Sequence, residues 1–252
     1  RAPNWCAFSY MACPAGGGPC TGLFNVHWPL YTVAPIAALY FYASYHLLWR
    51  AILPRTRIGA IYERFGRMQS MCFRANLGST VHSYSVVVLM IIMLATDEEV
   101  RTERIHQHYN PIGYSGMCLT LGYFSLSVPW SCYLLFKEKR RDVVPRAMLL
   151  HHVLVVLSAL IYVLGGVCAF YGVVGFACME LTNCFFIPRV LFELLGEPTD
   201  GPLCTVNGVL LVATFVVFRC GVCTAAAILF TSDLAAFESE SALEWALVLI
   251  AY

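Results

Sequence analysis

Charge is what this chain has least of. Asp, Glu, Lys and Arg make up 12% of its 252 residues, where a soluble domain carries about 25%. What charge it has nearly cancels, to +1, so it offers no basic footprint and no nucleic-acid partner is expected. Internal repeats, low-complexity tracts and long polar linkers are missing too, which excludes a string of soluble modules. The chain has no Asn-x-Ser/Thr sequon, so glycosylation cannot report a lumenal route. No signal-peptide pattern stands at the start. The first residue is Arg1 rather than Met, and a processed or incomplete N-terminus is expected.

Apolar side chains fill the gap. They reach 59%, against roughly 45–50% in a soluble domain. A spanning helix needs about 20 mostly apolar residues. Runs of that kind lie at roughly 28–49, 77–96, 115–137, 147–165, 167–190 and 204–231. The fold expected is all-α: a polytopic transmembrane bundle of six full spans plus a truncated seventh helix. Gly165-Gly166 predicts a tight hairpin between the fourth and fifth spans. Gly196-Glu197-Pro198 and Asp200-Gly201-Pro202 break the fifth from the sixth. Ser241-x-x-Glu244 reads as a capping box opening the seventh helix. The organisation is then a Cys/Gly/Pro-rich head over 1–27, a helical domain over 28–231, and an acidic loop with the start of a further helix over 232–252.

Basic residues set the orientation. Arg50, Arg55, Arg57, Arg64, Arg67 and Arg74 follow the first span; Lys137, Lys139, Arg140, Arg141 and Arg146 follow the third. Those two stretches hold 11 of the 16 Lys and Arg residues, and six alternating spans put both on one side, the cytosolic one. The 191–203 loop returns to that side although it is acidic.

Twelve cysteines are scattered along the chain. Cys6, Cys13 and Cys20 in the head are either free thiols or, in an oxidising space, the source of one disulfide. Cys220-x-x-Cys223 has redox or metal spacing but lies among Gly221, Ala225 and Ala226, where cysteine acts as a small packing residue, and no metal is expected.

The candidate site comes from polar residues inside the apolar runs, since ionisable groups there face a bundle interior or a cavity. His151 and His152 stand side by side just inside the fourth span. At about 1.5 Å of rise per residue they lie roughly 6–8 Å in, His82 roughly 8 Å, Asn183 about 10 Å and Glu180 about 15 Å. Spans two, four and five therefore bring polar groups to one layer, and a polar cavity opening toward the basic face is expected. Arg219 lies about 22 Å along the sixth span, placed either to snorkel outward or to pair with a carboxylate such as Glu180. Each residue also has a plainer reading: a membrane histidine can simply hydrogen-bond a neighbouring helix, and a buried Glu180 can be protonated and structural. Adjacent helical residues point about 100° apart, so one histidine of the pair acts while the other orients or packs. His106 and His108, among Glu98, Glu99 and Glu103, read as a solvated face; His27 and His46 read as interfacial. A His-ligated porphyrin has no supporting signal, and no cofactor is expected.

Four stretches resemble the TLC-domain superfamily of multi-span membrane proteins, which includes ceramide synthases. They are Ala75-Asn76-Leu77-Gly78-Ser79-Thr80-Val81-His82-Ser83, the run Arg146 to His152, Met179-Glu180-Leu181-Thr182-Asn183 with Pro188-Arg189, and Asn207-Gly208-Val209 with Phe215 and Arg219. Their order and spacing fit over about residues 30–231. In ceramide synthases the His-His stretch belongs to the active site, where an acyl group passes from acyl-CoA to a sphingoid amine. The resemblance thus implies His151 and His152 as catalytic positions, acyl-CoA as substrate, His82, Glu180, Asn183 and Arg219 as lipid-binding positions, and the endoplasmic reticulum as location. Histidine, with an unperturbed pKa of about 6.5, suits a base or nucleophile. The chain departs from the synthases where they carry a later His-Asp…Asp segment: here Cys178-Met179-Glu180-Leu181-Thr182-Asn183-Cys184 has no Asp pair. The resemblance is therefore to the smaller TLC-domain proteins linked to lipid homeostasis. Three functions stand open: a protein binding or regulating membrane lipids, an acyltransferase-like enzyme, and an accessory subunit whose partners are other chains of a membrane complex.

Overall fold

The computed structural model describes residues 22–43, 55–56, 58–102, 110–139, 146–165 and 169–236. Every regular element among them is helical. In chain order they are α1 (Gly22–Ala43), the short α2 (Gly59–Tyr62), α3 (Arg67–Thr96), the short α4 (Glu98–Thr102), α5 (Pro111–Cys132), α6 (Arg146–Gly165), α7 (Ala169–Leu195), α8 (Pro202–Thr214) and α9 (Cys223–Ala236). Two stretches wind as π-helix: Tyr133–Lys137 continues α5, and Phe215–Val222 joins α8 to α9 without a break. Five of the helical stretches are long and apolar enough to cross a membrane: Arg67–Thr96, Pro111–Lys137, Arg146–Val163, Phe170–Leu195 and Pro202–Ala235. With α1 beside them, the protein is an all-α polytopic bundle. The expected seventh helix, the capping box, the cysteine-rich head, His46, His106 and His108 lie outside the described residues.

The spans differ from the apolar runs mostly at their ends. α3 begins ten residues earlier than its run, because Gln69, Ser70, Arg74 and Asn76 are polar yet helical. At 30 residues it is about 45 Å long, more than the hydrocarbon core of about 30 Å, so its basic end projects beyond the membrane. There Arg74 Nε donates to Ser70 O at 3.2 Å, and Phe73 packs with Leu191, Tyr62 and Phe65. Arg67 and Arg74, placed above between the first and second spans, thus lie in the first turns of a helix.

Local sequence explains the boundaries. Asn110 caps α5, its side-chain oxygen accepting from Ile112 N at 2.8 Å and Gly113 N at 3.1 Å, with Pro111 as the first helical residue. The Asn110 amide also donates to Asp97 Oδ2 at 2.5 Å, clasping the end of α3 to the start of α5. α7 stops where expected, at Gly196, whose φ of 77° only glycine adopts freely; Glu197 N then reaches back to Phe192 O at 3.0 Å.

α3 is the centre of the bundle, packed along α7 on one side and α5 on the other. α1 lies on α5 at close range: a Cβ on Gly122 would stand 2.5 Å from the Ala34 carbonyl oxygen and 2.7 Å from Ala37 Cβ. The core holds Val86, Met90, Met93, Met117, Leu121, Ala159, Tyr162 and Val173. One expectation fails. α6 and α7 are not a tight hairpin, for α6 packs along α5 and only touches α7. α7 gives its main face to α3 and another to α8 and α9, leaving little for its sequence neighbour. The outermost helix, Pro202–Ala235, has 6% of its apolar window buried, against 39% for the windows of α5 and α7. An apolar surface of this kind is compatible with contact to lipid tails.

Candidate functional site

The polar centre forms where α3, α5 and α7 meet. His82 is 2% exposed. Its Nε2 lies 3.2 Å from Thr120 Oγ1, and Thr120 already donates its hydroxyl hydrogen to Gly116 O at 3.0 Å. Thr120 can therefore only accept, which makes Nε2 of His82 the donor. The opposite nitrogen, Nδ1, faces Glu180 Oε2 at 3.8 Å. Tyr123 stacks on the imidazole at 4.5 Å between centroids, and Phe41 and Phe124 meet it edge-on.

Glu180, 7% exposed, accepts from Ser83 Oγ at 2.5 Å and from Asn183 Nδ2 at 3.3 Å, both on Oε2. A buried carboxylate is tolerated only with such donors. Asn183 turns its other atom, Oδ1, to Arg219 Nη2 at 3.4 Å, and the same Nη2 donates to Met179 O at 3.3 Å. Arg219 sits inside the π-helical stretch 215–222, with Phe215 beneath its guanidinium at 5.8 Å. It turns inward onto α7. It neither snorkels outward nor pairs with Glu180 directly: Asn183 stands between the two. Arg219 therefore shares the layer of Glu180, although counting along its own helix alone set it deeper.

His82, Glu180, Asn183 and Arg219 are thus one hydrogen-bonded cluster. His152 is a neighbour, separated by Phe124, whose ring meets His152 at 5.0 Å and His82 at 5.8 Å. His152 is half-buried, with Nδ1 3.3 Å from Ser127 Oγ and 3.5 Å from Ser131 Oγ. Ser127 also meets the hydroxyl of Tyr123, which hydrogen-bonds Ser79. His151 points away from all of this and is exposed on the outer face of α6. Of the histidine pair, one faces inward and one outward, as adjacent helical positions require.

Sequence reasoning missed the residues of α5 that hold these groups: Thr120, Tyr123, Phe124, Ser127 and Ser131. A signal existed. Gly113, Gly116, Thr120, Tyr123, Ser127 and Ser131 recur every third or fourth residue, the stripe by which membrane helices approach closely and hydrogen-bond. Ser83, which closes the His82 stretch of the resemblance, has no site role in the sequence reading although it holds Glu180.

A groove of about 680 Å³ lies between α1, α5 and α6, lined by Ala34, Ala38, Phe124, Val128, Val153 and Leu157 among others. Its lining is apolar, and Phe124 is shared with the two histidines behind it. A smaller cavity of about 320 Å³ lies between α6, α7 and α9, reaching from Met179 and Cys223 to Tyr171 and Phe230. The groups of the polar cluster point at each other, and none of their side chains lines either space. Among the described residues no three His, Cys, Asp or Glu side chains are arranged to hold a metal; Cys223 meets Cys178 of α7 rather than Cys220.

The stretches of resemblance converge in space as well. Asn207 Nδ2 donates to Phe185 O at 3.0 Å, Arg189 Nη1 to Cys204 O at 3.0 Å, and Arg219 to α7 as above, so the motifs of α7 and of the 202–236 helix form one interface. A family model described as the TLC domain matches residues 73–252. No curated protein and no solved structure matches the chain.

Proposed function

The chain belongs to the TLC-domain family, and on that premise we propose that it binds or regulates membrane lipid through the groove between α1, α5 and α6. The observation that carries this reading is Phe124. It forms part of an apolar groove of about 680 Å³ and touches the rings of both His82 and His152 from its other side. An acyl chain laid in the groove ends against an aromatic ring backed by the bundle's buried polar groups. Such a wall is stiff: Phe124 is 5% exposed and wedged between two helices. Location in the endoplasmic reticulum is part of the same proposal and draws on the family resemblance alone.

The experiment is to purify the protein gently from its membrane and identify co-purifying lipids by mass spectrometry, for wild type and Leu157→Trp. Leu157 lines the groove and is 50% exposed, so the larger ring is accommodated without opening the core. A characteristic acyl lipid lost in the variant supports the proposal. A lipid profile that matches the bulk membrane in both proteins contradicts it.

A second reading, acyl transfer from acyl-CoA to a lipid amine, is favoured by one observation: His152 is half-buried near the basic end of α6 with serine hydroxyls at its Nδ1. In that reaction the amine attacks the thioester carbonyl, the carbon–sulfur bond breaks, and the amine proton leaves with the thiol. His152 would be the base, and His151, on the outer face, would take no part. Loss of turnover in His152→Ala but not in His151→Ala is the expected pattern. The accessory-subunit reading has no specific observation in its favour.

A further inference from the structure

We propose that the groove between α1, α5 and α6 prefers lipid chains with a mid-chain hydroxyl, which donates a hydrogen bond to the Ser125 carbonyl oxygen. This preference rests on the groove holding lipid, as proposed above, and names which chains it holds best.

Two prolines supply the first observation. A proline inside a helix has no N–H, so the carbonyl four residues earlier loses its helical donor. α5 and α7 each carry one, Pro129 and Pro188, and the carbonyls concerned are those of Ser125 and Cys184. Hydrocarbon cannot satisfy such a group, and membrane helices with an internal proline borrow donors from side chains and neighbouring helices. Cys184 has its substitute: the Tyr84 hydroxyl of α3 donates to its oxygen at 3.1 Å. Among the described residues no side chain does the same for Ser125. Its own Oγ donates to Gly122 O at 2.7 Å, which uses its only hydrogen and leaves that oxygen an acceptor as well.

The second observation is where the carbonyl lies. A helical carbonyl points along the axis toward the residue four places on, and residues four apart share a face. Ser125 and Pro129 both line the groove and both are exposed, so the oxygen between them stands at the groove wall. Among the described side chains that line the groove, only Ser125 is polar. The wall therefore presents two acceptors and no donor. A plain methylene chain leaves both dry, and a keto oxygen brings only another acceptor. A hydroxyl supplies the missing hydrogen.

Depth sets where on the chain the hydroxyl belongs. Ser125 lies near the middle of Pro111–Lys137, so about 15 Å of hydrocarbon, half the bilayer core, separates it from the basic interface. An extended chain covers about 1.2 Å per bond, which puts the hydroxyl about twelve carbons from the head group. Beyond Ser125 the groove continues to Leu121, a further rise of about 6 Å, or about five more carbons.

The test uses the full chain in nanodiscs of neutral phospholipid, with tritiated 12-hydroxystearate as probe and unlabelled fatty acids as competitors. 12-Hydroxystearate should displace the probe about five- to tenfold better than stearate, the range that one hydrogen bond in a membrane supplies. 2-Hydroxystearate keeps its hydroxyl at the interface, and 12-oxostearate has an oxygen at the right depth but no hydrogen; neither should do better than stearate. Pro129→Ala restores an N–H for the Ser125 carbonyl, so the preference should shrink to about twofold or less while stearate still binds. Leu157→Trp should abolish binding of every chain. Equal displacement by 12-hydroxystearate and 12-oxostearate overturns the inference without any variant, and so does an unchanged preference in Pro129→Ala. If stearate matches 12-hydroxystearate and both are lost in Leu157→Trp, the chain selectivity falls and the lipid groove stands. If neither binds saturably, or Leu157→Trp binds both as before, the groove reading falls with it.

Discussion

Removing Ser83 and Glu180 singly and together measures the bond that ties α3 to α7 at the polar centre. Ser83 Oγ donates to Glu180 Oε2 at 2.5 Å, with the residues 1% and 7% exposed. Hydrogen bonds to charged groups contribute about 1.5–3 kcal/mol in general, whereas side-chain bonds between membrane helices average about 0.6 and reach about 1.7 kcal/mol. The short distance and burial put this bond near the top of the membrane range. Ser83→Ala should cost about 1–2 kcal/mol. Glu180→Ala should cost about 2–4 kcal/mol, because the Asn183 amide loses its acceptor as well. The double variant should recover about 1–2 kcal/mol of the summed losses, since the two groups share one bond. Equilibrium unfolding in mixed detergent and SDS micelles, followed by circular dichroism, gives all four free energies. Additive losses, with coupling below about 0.5 kcal/mol, would refute the claim that this bond joins the two helices.

Three further outcomes follow from the geometry. Gly122→Leu should separate α1 from α5 and lower stability by about 1–3 kcal/mol, since even a Cβ there meets the Ala34 carbonyl oxygen at 2.5 Å; a cysteine cross-link between the two helices should form more slowly in the variant. His151→Phe should change stability by less than about 0.5 kcal/mol because His151 is exposed, whereas His152→Ala should cost about 1 kcal/mol or more through its contacts with Ser127, Ser131 and Phe124; the same unfolding assay separates them. Orientation is read with impermeant maleimide on sealed vesicles. Thr56→Cys and Asp200→Cys should label from the cytosolic side, and Thr102→Cys only after permeabilisation; the opposite pattern would reverse the assignment made from Arg and Lys.

The bundle was legible because its signal is coarse. Apolar run length reports a helix without any knowledge of its partners, and the runs at 115–137 and 147–165 match helical stretches within a few residues. Ends were less legible wherever a helix outruns the membrane. The polar turns from Arg67 to Asn76 look like loop on a hydropathy scale, although their backbone is satisfied by the same ladder as the apolar turns. The polar residues worth naming were found by cost: His82, Glu180, Asn183 and Arg219 are expensive in hydrocarbon, and the fold assembles them. Their partners were harder to see because Ser, Thr and Tyr are cheap in a membrane helix and carry no alarm, so Thr120 went unnamed and Ser83 entered only as part of a motif. Neighbour choice was not legible at all. Gly165-Gly166 marks the end of a helix but does not say which face α7 will keep for α3, and that decides that α6 packs on α5.

The most direct test of lipid binding in the groove is a cryo-electron microscopy map of the full chain in lipid nanodiscs, at a resolution that separates side chains. The account predicts ordered acyl density along α1, α5 and α6, ending against Phe124, with no comparable density on the outer face of α8. Equal, diffuse lipid density around every helix, or a groove closed by Leu157 and Ala38 in direct contact, would contradict it.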